Sequence, residues 1–193
     1  MMPFLSLSLV IILLITQIAR RSFLEKNLKK IFWIPVLSVF SLSTILSFIQ
    51  YKVWKEDKVM RFVFEADGGI NGFLYNAFAN HFAPYVLSLI LAIILAYLLY
   101  RINKKAEGKF FEKEEILIAF LSAFLSGFPG FLFFIVGLII AYLIAHLINA
   151  TMRKKTASRV IPLYYFWLPV AGFVIITEIM WLSRLGFWKL LSV

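Results

Sequence analysis

The sequence contains no cysteine and few charged residues. Because none of its 193 residues is Cys, disulfides, thiol catalysis and metal or iron–sulfur sites with Cys ligands are excluded. Charged residues make up 16% of the chain and apolar residues 62%, whereas soluble domains have about 25% charged and 45–50% apolar residues. These values exclude a water-soluble enzyme, a disordered tail and a coiled coil. Together with a mean hydropathy of +0.90, they indicate an integral membrane protein.

Long stretches without charge predict six membrane-spanning helices in an all-α bundle that forms one transmembrane domain over residues 1–193. A spanning helix needs about 20 mostly apolar residues. The stretch 116–150 has no acid or base, but at about 1.5 Å per residue it is too long for one crossing. Its segment Gly127–Gly130 (GFPG) contains the Pro and Gly residues that end one helix and start another. The predicted spans are 3–19, 31–50, 82–100, 112–127, 130–150 and 160–182. The span 112–127 is short, which leaves a partly inserted helix as an alternative.

The distribution of basic residues predicts the orientation. The loops 20–30, 101–115 and 153–159 hold 14 of the 20 Lys and Arg residues, and alternating spans place these loops on one side. By the positive-inside rule that side is cytoplasmic, so both termini are predicted on the outer side of the membrane. The membrane is expected to be the cell membrane. The formal charge of +10 is thereby attributed to topology. The lipid bilayer is the expected partner, and no nucleic-acid partner is expected.

Small residues predict how two of the helices pack. Helices in lipid associate through close backbone approach at small side chains. The fourth and fifth spans each carry such residues at four-residue spacing: Ala119, Ala123 and Gly127, then Gly137, Ala141 and Ala145. Because a short turn joins the two spans, we expect an antiparallel pair that touches along Ala119/Ala123 and Gly137/Ala141.

The loop 51–81 is predicted to be the main segment outside the membrane. Apolar residues alternate around Phe62, which favours a short strand, and Asp67–Gly69 and Asn71-Gly72 are turn signals. The loop is also rich in aromatic residues, so we expect it to lie on the outer membrane interface. There it would act as a lid or as a docking surface for a membrane protein partner.

Three kinds of polar residue are candidates for a site. His81 and His146 are predicted near opposite membrane faces and cannot share a metal or haem, so neither a metal nor a cofactor is expected. Glu178 is the only acid within an apolar span, and intramembrane acids are candidate binding residues because burial there costs about 3 kcal/mol.

The glutamates Glu112, Glu114 and Glu115 open the fourth span from its predicted cytoplasmic side. They have two interpretations. Acidic residues stabilise the positive end of a helix dipole, or this cluster forms a catalytic site. In the second interpretation Gln17, at the cytoplasmic end of the first span, is the nearest partner.

The order of these features resembles the prepilin and preflagellin peptidase family. The resemblance covers roughly residues 95–175 and rests on the segments Phe110–Leu117 (FFEKEEIL), Gly127–Gly130 and Val160–Leu163 (VIPL). It implies catalysis by two aspartates at the cytoplasmic ends of the first and fourth spans. Gln17 stands where the first aspartate would fall, and Glu114 or Glu115 where the second would. Both glycines of the family's aspartate motif are absent.

Three functional hypotheses follow. The first is a peptidase-like scaffold without paired-aspartate catalysis, which acts in binding or assembly. The second is a small membrane subunit of a transporter or larger complex. The third is an active intramembrane enzyme that uses Glu112, Glu114 or Glu115. Proximity of Gln17 to these glutamates would favour the first or the third hypothesis over the second.

Overall fold

The computed structural model describes residues 2–19, 21–57, 70–107, 111–152 and 163–181, and every regular element in these ranges is a helix. The all-α class is therefore confirmed. The elements are α1 (Met2–Ala19), α2 (Arg21–Ile31), α3 (Trp33–Glu56), α4 (Ile70–Ala77), a π-helix (Phe78–Phe82), α5 (Ala83–Lys105), α6 (Lys113–Leu125), α7 (Gly130–Met152), a 3₁₀ turn (Leu163–Tyr165) and α8 (Trp167–Met180).

Five helical segments within the described ranges are long and apolar enough to cross a membrane. They are Met2–Ala19, Lys26–Glu56, Ile70–Lys105, Gly130–Ile148 and Leu163–Met180. These segments correspond to the predicted first, second, third, fifth and sixth spans. The chain thus has the helices of a multi-pass membrane protein. The count of six spans and the outward placement of both termini stay predictions.

The predicted fourth span, 112–127, is a short central helix in the structure. At about 1.5 Å per residue, the 13 residues of α6 extend about 20 Å, less than the roughly 30 Å of a bilayer core. All residues from 118 to 127 are buried. A helix that is exposed to lipid must be long enough to cross the bilayer core. α6 need not be, because neighbouring helices surround it. The alternative of incomplete crossing therefore fits the structure better than a full span.

The prediction that α6 and α7 pair along their small residues is wrong. α6 packs most extensively against α5, and α7 packs against α8. The Ser88 hydroxyl of α5 donates to the carbonyl oxygens of Ala123 and Phe124 in α6, at 2.9 and 3.1 Å. On α7, a methyl group added to Gly137 would lie 3.2 Å from Cγ1 of Val170 in α8. Small residues predict close approach, but they do not specify the partner.

The turn between α6 and α7 is held against the start of α5. Gly127 ends α6 with a φ of 63°, a left-handed conformation that glycine adopts without steric cost. The next residue, Phe128, donates its backbone N–H to the carbonyl oxygen of Pro84 at 3.0 Å. The helix break predicted at Gly127–Gly130 is therefore confirmed. The turn at this break joins α6 to α7, and its backbone also forms a hydrogen bond with α5.

The predicted loop 51–81 is largely helical where it is described. α3 continues to Glu56, and helical structure resumes at Ile70, so the turn predicted at Asn71-Gly72 is wrong. These two residues lie in the first turn of α4, where the backbone N–H groups lack helical partners in any case. Phe73 then packs edge-on against the rings of Tyr51 and Trp54, at 5.5 and 5.7 Å. The predicted strand around Phe62 and turn at 67–69 lie outside the described residues.

Candidate functional sites

Gln17 is buried in the last turn of α1. It continues a buried stripe of that helix, formed by Met2, Ser6, Val10, Leu13 and Gln17. Only 2% of its surface is exposed, and its Nε2 donates to the carbonyl oxygen of Tyr164 at 2.9 Å. A buried amide needs such a partner, because an unsatisfied polar group costs about 1–3 kcal/mol. Gln17 thus joins α1 to the turn that precedes α8.

Glu115 is buried in the first turn of α6, with 5% of its surface exposed. The indole Nε1 of Trp167 donates to its Oε1 at 3.2 Å. Burial raises the pKa of the Glu115 carboxyl, and the hydrogen bond from Trp167 acts in the opposite direction. Of the three predicted glutamates, this is the one that reaches the interior, since Glu112 is exposed and Glu114 is half-buried.

The hydrogen bonds of Gln17 and Glu115 meet on one segment at the start of α8. Tyr164 and Trp167, the two partners, are both buried and lie three residues apart. The end of α1 and the beginnings of α6 and α8 therefore come together, and we call this region the Glu115 end. The structure gathers Gln17 and Glu115 there, as the second interpretation of the glutamate cluster required. In the described residues, however, their side chains bond to this segment and not to each other.

The interpretation of the glutamates as helix-stabilising residues also has support. Glu112 is the N-cap of α6 by its extended backbone, and its carbonyl oxygen accepts the N–H groups of Glu115 and Ile116 at 3.1 and 3.4 Å. Glu114 and Glu115 lie in the first turn of the helix, where the dipole favours negative charge. The two interpretations are compatible, because Glu115 alone faces inward.

Sequence reasoning missed Tyr164 and Trp167. A usable signal was present, since a buried Trp normally finds a hydrogen-bond acceptor for its indole N–H. Trp167 follows the Val160–Leu163 segment at the start of a predicted span, on the same side as the glutamates. This position makes one of those carboxylates the natural acceptor.

A cavity of about 150 Å³ lies at the opposite end of the bundle, where α1, α5 and α7 begin and α8 finishes. We call this region the Glu178 end. The cavity is lined by Met2, Pro3, Asn80, Pro84, Tyr85, Gly127, Phe128, Pro129 and Glu178. The hydroxyls of Tyr85 and Ser6, both buried, form a hydrogen bond of 2.8 Å in its wall. Glu178, predicted as a candidate binding residue, therefore lies in the wall of a cavity.

The two histidines lie in different surroundings. His81 belongs to the π-helix, and its Nε2 shares a hydrogen bond of 2.8 Å with Oε1 of Gln50. His146 lies in α7 with its ring against Tyr142, at a centroid distance of 4.4 Å. In the ranges that the structure describes, no group of three or more His, Cys, Asp or Glu residues is placed to hold a metal ion.

Comparisons of the chain with protein-family models, with curated proteins and with solved structures found no match. The resemblance to the prepilin peptidases therefore remains a prediction from the sequence.

Proposed function

We propose that this chain is a multi-pass membrane protein with a prepilin-peptidase-like scaffold that binds or assembles with another membrane protein instead of cleaving it. The observation that supports the proposal is the hydrogen bonding at the Glu115 end. Gln17 and Glu115, the latter one of the two glutamates that the resemblance aligns with the family's second aspartate, both bind the segment that opens α8.

The residues at this end are poorly suited to hydrolysis. Aspartic catalysis needs two carboxyl groups that share one proton, one acting as base towards water and the other as acid. The Gln17 amide cannot ionise, and its Nε2 is already bonded to Tyr164. The buried oxygen of Glu115 is occupied by Trp167. These contacts join α1, α6 and α8. Gln17 and Glu115 therefore lack the shared-proton chemistry of two catalytic carboxyl groups.

The same contacts bear on the choice among the three functional hypotheses. A subunit unrelated to the peptidases gives no reason for Gln17 and a glutamate from the Glu112–Glu115 cluster to meet on one segment. The enzyme alternative requires a second acid beside Glu115, but Glu112 is exposed to solvent and Glu114 is only half-buried. A scaffold with a structural polar cluster accounts for both facts.

The surface proposed for partner binding includes α4. Ile70 and Leu74 of α4 and Phe78 of the adjoining π-helix follow four-residue spacing, and each is more than half exposed. They belong to the segment 51–81, where a docking surface was expected from the sequence. An exposed apolar row of this kind fits the membrane-spanning segment of a partner protein.

Capture of a pilin precursor with its apolar N-terminal segment tests this proposal. The precursor is immobilised in mild detergent and incubated with the purified chain and with the variant Leu74→Asn. The proposal predicts that the immobilised precursor retains the wild-type chain and retains at least several-fold less of the Leu74→Asn variant. Leu143→Asn, at an equally exposed position on α7, is the matched control and should be retained. Equal retention of all three proteins, or of none, would contradict the proposed binding role.

A further inference from the structure

We propose that the cavity at the Glu178 end binds a primary ammonium group, supplied by the headgroup of an aminophospholipid. This site is separate from the polar cluster at the Glu115 end and does not depend on the proposed peptidase-like scaffold. The cavity combines a carboxylate, neutral oxygen atoms and aromatic rings within about 150 Å³.

One carboxyl group, that of Glu178, lies in the wall of the cavity. Among the described residues that line the cavity, Glu178 is the one Asp or Glu, and none is a Lys, Arg or His. Among the described residues, no hydrogen bond or ion pair engages the Glu178 carboxylate. A methyl group added to Gly130, the first residue of α7, would lie 3.6 Å from Oε2 of Glu178. The first turn of α7 thus lies beside the carboxyl group of Glu178.

Other groups in the lining suit the three donors of an ammonium group. The Tyr85 hydroxyl oxygen is fixed by its hydrogen bond with Ser6. Asn80, another lining residue, uses its Nδ2 to donate to Asn76, and its Oδ1 is a further acceptor atom at this end. The rings of Tyr85 and Phe128 are also in the wall, and aromatic faces attract cations.

The dimensions and ligands favour an organic cation over a metal ion. Calcium and magnesium require several oxygen ligands, usually with more than one carboxylate, and the described part of the lining supplies one, that of Glu178. A volume of about 150 Å³ equals roughly five water molecules at ~30 Å³ each, which is enough for an aminoethyl group. The cavity lies at the end of the membrane-crossing helices α1 and α8. A lipid headgroup can therefore enter it while the phosphate and acyl chains stay outside.

Native mass spectrometry of the full chain tests this site. The protein is reconstituted in nanodiscs that contain equal amounts of phosphatidylethanolamine and phosphatidylcholine, and the retained lipids are identified by mass after release. The wild-type chain should retain the ethanolamine lipid over the choline lipid by about fivefold, as expected for a partly buried ion pair. Glu178→Gln should abolish this preference, and Glu178→Asp should keep part of it because it restores the charge.

Glu56→Gln is the matched control, since Glu56 is exposed at the end of α3 and should not affect retention. A second arm replaces the lipid with free ethanolamine at neutral pH and constant ionic strength, and measures the melting temperature in detergent. A rise in the wild type but not in Glu178→Gln supports the site with a soluble amine as its source. Absence of lipid preference together with absence of this rise would overturn the proposal. A preference that persists in a folded Glu178→Gln protein would also overturn it.

Discussion

The hydrogen bond between Trp167 and Glu115 should make a measurable contribution to the stability of the Glu115 end. Trp167→Phe removes the donor and leaves a carboxyl group that is 5% exposed without its partner at 3.2 Å. Loss of a hydrogen bond to a charged group costs about 1.5–3 kcal/mol in soluble proteins, whereas side-chain pairs in membrane proteins average about 0.6 kcal/mol. The smaller ring also leaves a void, which adds about 1 kcal/mol or more. We therefore expect Trp167→Phe to lower the free energy of unfolding by about 2–3 kcal/mol.

A double-mutant cycle separates the hydrogen bond from the void. Glu115→Leu removes the carboxyl at similar size, and the double variant shows whether the two losses are independent. Unfolding by denaturing detergent in mixed micelles, followed by tryptophan fluorescence and circular dichroism, gives the four free energies. A coupling energy of about 1 kcal/mol is expected. A coupling energy of zero would refute the role assigned to this bond, because the void alone would then explain the single variant.

Three further predictions concern pH, packing and orientation. Because burial raises the pKa of Glu115, the folded state binds a proton more readily than the unfolded state, so the wild type should lose stability as the pH rises through the folded pKa. The stability of Glu115→Gln relative to the wild type should therefore increase as the pH rises from the ordinary carboxyl value of 4.5 through the folded pKa, and a pH-independent difference in melting temperature would contradict the sign. Ala92 lies on the buried face of α5 that meets α6, so Ala92→Leu should lower the free energy of unfolding by about 1–3 kcal/mol through overpacking. Ala145→Leu, on the partly buried face of α7, should lower it by less than about 1 kcal/mol. Equal melting temperatures of the two variants would argue against close packing between α5 and α6. Single cysteines at Gly69 and Gly108 should be labelled by impermeant reagents from opposite sides of the membrane, and labelling from the same side would rule out the predicted topology.

The apolar pattern was sufficient to predict five helices that can cross the membrane and the break at Gly127–Gly130. It marked the fourth span as short and left a partly inserted helix as an alternative, but it could not choose between the two, because the central position of α6 depends on neighbours that are distant in the sequence. The partner of α6 was missed for a related reason. Ser88 and Ala92 form a second small-residue stripe on α5, and the short turn to α7 made the sequential neighbour look like the obvious partner.

The candidate site was predicted in part. Gln17 and Glu115 could be selected from the sequence, because they are polar residues at the ends of apolar helices. Their partners could not, since Tyr164 lies 147 residues from Gln17 and Trp167 lies 52 residues from Glu115. Glu178 was selected as a lone acid in an apolar span, whereas the cavity that it faces forms only when the ends of α1, α5, α7 and α8 meet.

Incubation of the purified chain with a pilin precursor that carries its signal segment tests the central claim most directly. The products are separated by gel electrophoresis and identified by mass. Since Gln17 cannot ionise and Glu115 is held by Trp167, we predict that the precursor stays at full length even after prolonged incubation. A shortened product that forms with the wild type and with Glu114→Gln, but not with Glu115→Gln, would contradict the account and establish Glu115 as a catalytic residue.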